Sequence, residues 1–321
     1  MNTIRFNSAD FKRDALKLFR IFLPDEDEQT AIVKFLDHAN QKIDRFIRAK
    51  RKLIALLGEQ KQAIIHRAVT RGLDPEVRLK PSGIPWLGDI PEHWEVLRSK
   101  YLFREVDERS KSGRETHLSM SQKLGLVPNT EIDTRRLISD SYAGAKLCQK
   151  GDLILNRLKA HLGVFHLAPQ PGLVSSDYTV LRPIRELESR YFAAVYRSPA
   201  CRVELRQRAK GIVQGFWRLY TDDFYDIRVA VPPVPEQTLI MDHLESTLDR
   251  LNIAVARTER EIALLNEYRT RLTADIVTGK LDVREAAAAL PETHTAGDLL
   301  PDIDVLDDEL LEESETEDSR E

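Results

Sequence analysis

The side chains that could do chemistry in this 321-residue chain lie in four polar or basic turns between residues 119 and 218. The turns contain Ser119, Ser121, Gln122 and Lys123; Asn156, Arg157, Lys159 and His161; Ser176 and Tyr178; and Lys210, Gln214, Trp217 and Arg218. Arginine and glutamine can read base edges through paired hydrogen bonds, whereas lysine and serine can hold phosphates. We predict that these side chains bind DNA, although each one alone is more often an ordinary exposed loop residue.

No catalytic or metal-binding motif accompanies these turns in the sequence. A phosphate-cradling GxxxxGK[ST] loop, a glycine-rich dinucleotide loop, a GxSxG elbow and an Asp/Asn-Pro-Pro-aromatic motif are all missing. The carboxylate pair Asp222-Asp223 is expected to cap a turn rather than to catalyse. Cys148 and Cys201 are the only cysteines, and neither has a histidine at ligand spacing. The sequence therefore predicts no catalytic residue, metal or cofactor in this chain.

The charge of the chain is unevenly distributed. The net charge is −4, but residues 282–321 contain 15 acidic and 2 basic residues. Residues 98–228, which hold the four turns, contain 23 Lys and Arg against 15 Asp and Glu, a net charge of +8. A positive excess in one region is the electrostatic footprint expected of a protein that meets phosphate. Without an apolar run of membrane-spanning length or a signal peptide, a cytoplasmic location is expected, with no membrane partner.

Two stretches of the chain repeat each other and should position these turns. Residues 23–74 and 231–282 align without a gap at a constant offset of 208, so that Glu28-Gln29-Thr30 matches Glu236-Gln237-Thr238. Register kept over 52 residues indicates internal duplication. Residues 5–11 also resemble residues 218–224, so the duplication extends upstream of the helix.

Each copy is predicted to be one long helix, because acidic residues occupy its start and no proline interrupts it. Its apolar positions step by threes and fours, which is typical of a coiled-coil seam. In the first copy these positions are Ile32, Leu36, Ala39, Ile43, Phe46, Leu53, Leu57, Ile64 and Ala68. A helix of this length spans roughly 65 Å. We expect the two helices to pack on each other as a spacer, although helices that only dimerise the protein would show the same pattern.

The expected fold class is α+β, with one mixed α/β domain flanked by the two long helices. The predicted segments are the end of a first globular domain (1–24), the first long helix (25–72), a linker (73–83), the mixed domain (84–230), the second long helix (231–282) and an acidic, disordered tail (283–321). In the mixed domain, residues 117–121, 152–155, 163–167 and 178–181 have the pattern of strands. Residues 190–210 have that of a helix, interrupted at Ser198-Pro199.

Several motifs, taken in order, resemble those of the DNA-specificity subunit of type I restriction-modification systems. They are residues 83–94 (GIPWLGDIPEHW), 118–123 (LSMSQK), 125–128 (GLVP), 151–154 (GDLI), 211–219 (GIVQGFWRL), 231–237 (VPPVPEQ) and 277–281 (VTGKL). Each motif is weak alone, but in this order and with the duplicated helix the set is specific. The resemblance covers residues 1 to about 285.

The resemblance implies two target-recognition domains at opposite ends of an antiparallel helix pair, each reading one half of a split duplex DNA target. It implies methyltransferase subunits and a restriction/translocase subunit as partners. S-adenosylmethionine, ATP and magnesium are then expected in those partners, and the specificity subunit itself catalyses nothing.

This sequence departs from the family pattern because it has a single intact recognition domain, with only about the last twenty residues of the first. It should therefore read one half-site. A homodimer through the long helices, which would read a two-fold symmetric target, an inactive truncated remnant and a misplaced start all fit this arrangement. The rival hypotheses are a coiled-coil adaptor without DNA specificity and a nuclease with an unrecognised site.

Overall fold

The computed structural model of the protein describes residues 23–121, 125–132, 142–213 and 216–291, with the side chains of 121, 212, 213 and 216 excepted. These residues form two compact units. Residues 23–54 and 256–291 make up a helical unit, and residues 55–255 make up a mixed unit. The predicted domain remnant, apart from residues 23 and 24, and the acidic tail from residue 292 lie outside the described residues.

The duplicated stretches form the two longest helices of the described chain, α1 (Glu26–Arg71) and α5 (Val234–Val277). The side chain of Asp25 caps α1 by accepting a hydrogen bond from the Glu28 backbone N–H at 2.8 Å. Helix α1 ends at Arg71, and the next residue, Gly72, has a φ of 73°, which favours glycine. Helix α5 begins three residues later than expected, because Val231 still belongs to a strand and two prolines follow it.

In the helical unit the two helix segments run antiparallel. The Lys50 Nζ atom lies 2.5 Å from Glu261 Oε2, and Arg269 pairs with Asp44, so residue numbers rise along one helix as they fall along the other. The seam prediction was wrong at Phe46 and Leu53, which are 60% and 46% exposed. Ile47, four residues after the buried Ile43, takes the seam position instead.

The segment after α5 also differs from the predicted disordered tail. A short helix, α6 (Arg284–Ala288), follows, and Val283 and Ala287 are buried in the helical unit. The Lys34 Nζ atom donates to the Leu290 carbonyl at 3.0 Å. Apolar side chains at 283 and 287 lie one helical turn apart, which lets both pack on the same side.

The mixed unit contains fourteen short strands among its described residues. They are β1 (Leu79–Pro81), β2 (Asp89–Pro91), β3 (Glu95–Arg98), β4 (Phe103–Val106), β5 (Leu118–Ser121), β6 (Gly125–Pro128), β7 (Lys146–Cys148), β8 (Leu153–Asn156), β9 (Phe165–Leu167), β10 (Gly172–Val174), β11 (Tyr178–Pro183), β12 (Lys210–Val213), β13 (Phe216–Arg218) and β14 (Arg228–Val231). Its shorter α-helices are α2 (Ser189–Arg197), α3 (Pro199–Arg208) and α4 (Thr221–Tyr225). Its 3-10 helices are Ser99–Tyr101, Asn129–Glu131 and Arg157–Leu162.

The described strands pair antiparallel in one four-stranded sheet, β4-β11-β8-β9, and in five two-stranded sheets. The pair β3–β14 joins the two ends of the domain, because residues 95–98 lie beside residues 228–231. Strands β1 and β2 occupy the linker and the proline-rich opening, where no strand was expected. The short strands alternate with turns, so polar loops lie close to buried strand ends.

Aromatic side chains fill the core of the mixed unit. Tyr196 of α2 stacks on Phe165 of β9 with ring centroids 5.2 Å apart, and both residues are fully buried. The break between α2 and α3 falls at Ser198, as the sequence predicted, and the Ser198 hydroxyl accepts a hydrogen bond from the Cys201 backbone N–H at 3.3 Å. Helices and strands are thus combined in one mixed unit, and the α+β fold class is confirmed.

Candidate nucleic-acid interface

The second group of predicted residues, Asn156 to His161, begins at the end of strand β8. Leu153, Ile154 and Leu155 are buried, and the next residue, Asn156, caps the 3-10 helix Arg157–Leu162. The Asn156 Oδ1 atom accepts hydrogen bonds from the backbone N–H groups of Leu158 at 3.1 Å and Lys159 at 3.3 Å. One acceptor of Asn156 is therefore used locally, to hold the helix that carries Lys159 and His161.

Asp177 joins three of the four predicted groups. The Arg157 guanidinium donates to the carbonyls of Asp177 at 2.8 Å and Ser176 at 3.1 Å. Arg218 donates to the Asp177 carboxylate at 2.9 Å. Two arginines on separate segments are thus held beside the turn at Ser176. The Asp177 carboxylate was not among the predicted residues, and its only signal in the sequence is an acid among basic loops.

The hairpin β12–β13 presents the fourth group. Lys210 lies opposite Arg218, and Gly211 lies opposite Trp217, whose side chain is 41% exposed. A Cβ atom on Gly211 would lie 4.0 Å from the indole, so the Gly211 backbone runs close beside the ring. The Lys210 Nζ atom lies 2.9 Å from Asp223, which raises the pKa of the lysine and keeps it charged.

Ser119 corrects the prediction for the first group. It is only 6% exposed, and its hydroxyl donates to Asn129 Oδ1 at 3.0 Å, in the 3-10 helix that follows β6. Because Ser119 is buried and its hydroxyl is bonded within the protein, we leave it out of the proposed surface. Ser121 is described only as the last residue of β5, and Gln122, Lys123 and Gln214 lie outside the described residues.

The remaining predicted residues differ in exposure. Ser176 is exposed, whereas Tyr178, Lys159 and His161 are half-buried. Tyr178 packs against a second hydrophobic cluster that includes Ile154 and Val180. Three segments that carry predicted residues thus meet around the 3-10 helix Arg157–Leu162. They are residues 156–161, 176–178 and 210–218.

This surface, which we call the hairpin surface, consists of the 3-10 helix Arg157–Leu162, the turn at residues 175–177 and the hairpin β12–β13. It offers cations, an exposed indole and polar turns, which suit binding to phosphates and bases. In the described part of the chain, no three His, Cys, Asp or Glu side chains are grouped so that they could hold a metal ion. No helix there is long and apolar enough to cross a membrane.

Comparison with known proteins points in one direction, although no family model matches the chain. The chain is 24% identical over 284 residues to the type I restriction enzyme MjaVIII specificity subunit of Methanocaldococcus jannaschii. That alignment covers 83% of this chain and 63% of the relative. The chain therefore spans less than two thirds of the length of this curated relative.

A solved structure shares the fold. One chain, from a study of complex assembly and conformational transition in the type I R-M system, matches with a TM-score of 0.59 at 16% identity. The match covers 81% of this chain and 62% of the solved chain. The HsdS subunit from Thermoanaerobacter tengcongensis matches with a TM-score of 0.46 at 16% identity, over 81% of this chain and 61% of that subunit. The predicted resemblance is confirmed by the curated relative and the shared fold: the chain is related to the specificity subunits of type I restriction-modification systems.

Proposed function

We propose that the mixed unit recognises duplex DNA in a sequence-specific way through the hairpin surface. The observation that carries this proposal is the hairpin β12–β13, which presents Lys210 and Trp217 beside two arginines held by Asp177. The relationship to type I specificity subunits supports the same function. In this proposal the chain catalyses nothing itself.

The dimensions of the hairpin suit the major groove. Two paired strands lie about 4.8 Å apart, and a two-stranded ribbon fits a major groove about 12 Å wide. Trp217 would then contact bases, whereas Lys210 and Arg218 would contact phosphates or base edges. The hydrogen bonds to residues 176 and 177 fix Arg157 and Arg218 before DNA arrives, which reduces the entropy lost on binding.

Selection of bound duplexes from a random library, followed by fluorescence anisotropy on the selected and a scrambled duplex, tests the proposal. We expect affinity to fall steeply with salt and to be higher for the selected duplex. Trp217→Ala should reduce the preference for the selected duplex. Tyr101→Ala is the matched control, because Tyr101 is 54% exposed on a 3-10 helix outside the hairpin surface. Equal affinity for both duplexes, or equal effects of the two variants, would contradict the proposal.

We further propose that the chain reads one half of a bipartite site and that its long helices act as spacer and docking surface for methyltransferase and restriction subunits. S-adenosylmethionine, ATP and magnesium would belong to those subunits, and the complex would work in the cytoplasm. In the helical unit, Val33, Phe46, Leu264 and Tyr268 are 56% to 63% exposed, which supports docking of a partner there.

Light scattering of the purified chain, alone and with a methyltransferase partner, tests the docking proposal. A stoichiometric complex that is lost with Leu264→Glu would support it, and a complex that survives this change would place docking elsewhere. A homodimer of the isolated chain is a second outcome that the same measurement detects. An adaptor without DNA specificity would form such complexes but show no salt-dependent affinity for DNA.

A further inference from the structure

Two arginines next to the hairpin surface have no counterion among the described residues. Arg197 ends α2, and Arg202 lies in the first half of α3, on the other side of the Ser198 turn. Within the described part of the chain, neither guanidinium forms an ion pair or a hydrogen bond, and the Arg202 Nε atom is buried without a partner. Buried polar atoms in proteins usually have a hydrogen-bond partner, so the buried Arg202 Nε atom, next to a second cation and without an acid, needs an explanation.

Gly163 shows how closely the two arginines approach the hairpin surface. This glycine directly follows the 3-10 helix Arg157–Leu162 and has a φ of 72°. A Cβ atom there would lie 2.8 Å from Arg202 Cδ and 3.4 Å from Arg197 Cα. The stem of Arg202 therefore packs against the end of the helix that carries Lys159, and Arg197 lies beside it.

Acidic residues are available nearby, but they pair with other arginines. On α3 itself, Glu204 lies 2.7 Å from Arg208, with a spacing of four residues. Near the start of α2, Arg190 contacts Glu188 at 3.0 Å. Glu188 and Glu204 are therefore already paired with other arginines, and neither neutralises Arg197 or Arg202.

His166 lies near enough to Arg197 to sense its charge, and it is not an acid that could neutralise the arginine. Burial and the charge of Arg197 lower the pKa of His166 to about 4, so the imidazole is neutral at physiological pH. Surrounding protein atoms and Arg202 lower the pKa of Arg197 itself. A Cβ atom on Gly125, at the start of β6, would lie 3.2 Å from His166 Nδ1. Gly163 thus lies against the two arginines, and His166, which senses the charge of Arg197, lies against Gly125 at the start of β6.

We infer that Arg197 and Arg202 form a phosphate-binding pair that contacts the backbone of duplex DNA beside the hairpin surface. A guanidinium matches the geometry of a phosphate through two parallel hydrogen bonds, and an arriving phosphate would relieve the repulsion between the two cations. Such contacts position the protein without reading sequence. The inference rests on the proposed DNA-binding function and extends its surface beyond the 3-10 helix Arg157–Leu162 to the two arginines.

The test compares Arg197→Gln, Arg202→Gln and the double variant with Arg208→Gln, which removes the same charge on α3 from an internal ion pair. Fluorescence anisotropy is measured for a selected and a scrambled duplex over a range of salt concentrations. Each lost phosphate contact should lower the slope of log affinity against log salt by about 0.9. Affinity should fall roughly tenfold per contact, equally for both duplexes, because the contacts do not read bases.

Charge-conserving variants keep the test meaningful if a glutamine disturbs folding. Arg197→Lys and Arg202→Lys should retain most of the salt slope, with circular dichroism confirming the fold. An unchanged slope in the double variant, or equal effects of Arg202→Gln and Arg208→Gln, would overturn the inference while leaving DNA binding intact. Loss of affinity for the selected duplex alone would also overturn it, because the pair would then read bases. A wild-type chain without salt-dependent DNA binding would instead refute the proposed function.

Discussion

Equivalent residues of the two helix copies lie in different surroundings in the mixed unit and the helical unit. Val69 is 1% exposed, whereas Val277 at the equivalent position is 54% exposed. Gln237 is 1% exposed, but its counterpart Gln29 is exposed. The same local sequence therefore leads to buried positions in one unit and accessible ones in the other.

Contacts within the mixed unit account for the difference. The Tyr191 hydroxyl donates to the Val69 carbonyl at 3.1 Å. The Gln237 side chain accepts from the Glu188 backbone N–H at 2.9 Å and donates to the Pro232 carbonyl at 2.8 Å. In the helical unit, the Gln29 side chain donates only to the exposed Pro24 carbonyl at 2.8 Å among the described residues. The duplicated apolar pattern thus determines which helix positions face other parts of the protein. The side chains packed against each position then determine how much it contributes to the free energy of unfolding.

The largest effect is expected when the equivalent isoleucines are truncated. Ile240 is fully buried, and Ile32 is only half-buried. Ile240→Ala should lower the free energy of unfolding by about 3 kcal/mol, and Ile32→Ala by about 1 kcal/mol, because less apolar surface is lost. Urea unfolding followed by circular dichroism measures both values. Equal losses would show that the two positions are equally packed in solution.

Gln237→Ala is expected to have the next largest effect. It leaves the Glu188 N–H without its acceptor and should cost about 2 kcal/mol. Gln29→Ala, the matched change at an exposed position, should cost less than about 0.5 kcal/mol. The three tryptophans of the chain all lie in the mixed unit, so their fluorescence reports its unfolding. Equal losses of unfolding free energy in the two variants would contradict the difference between the mixed unit and the helical unit.

Removing the carboxylate of Glu236 should lower the free energy of unfolding by a smaller amount. Glu236 accepts hydrogen bonds from Trp94 Nε1 at 3.1 Å and interacts with His93 Nε2 at 2.8 Å. Glu236→Ala should cost about 1 kcal/mol and shift the fluorescence of the buried Trp94. Glu28→Ala, at the equivalent position of the helical unit, should leave tryptophan emission unchanged. A spectral change in the second variant would break the comparison.

The smallest expected effect concerns pH. Burial and the charge of Arg71 lower the pKa of His66 below its usual value of 6.5. The unfolded state therefore binds a proton more readily, and the free energy of unfolding should fall as the pH drops through about 6.5. His66→Ala, which introduces the residue found at position 274, should weaken this dependence. His166 titrates in both proteins, so the difference between their urea midpoints at several pH values isolates His66.

Part of the candidate site could be predicted from sequence, because residue type and the turn signals around it are features of a few consecutive residues. Arg157, Lys210 and Trp217 are identifiable as basic or aromatic residues at turns, and Asn156 follows an apolar strand. The link between these turns could not be predicted, because Arg157, Asp177 and Arg218 are far apart in the chain and meet only after the strands pair. The burial of Ser119 could not be predicted either, because Asn129, which accepts its hydrogen bond, is ten residues further along the chain, in the 3-10 helix that follows β6.

The sequence by itself determined the duplicated helices, the α+β class, the helix break at Ser198 and the polar turns, because periodicity, proline and capping act over a few residues. Tertiary structure decided that Ile47 rather than Phe46 is buried in the helix pair. It also decided that Val69 is covered while Val277 is not, and that Arg197 and Arg202 meet at Gly163 without an acid. Burial and unpaired charge depend on neighbours brought from distant parts of the chain, and no local pattern records them.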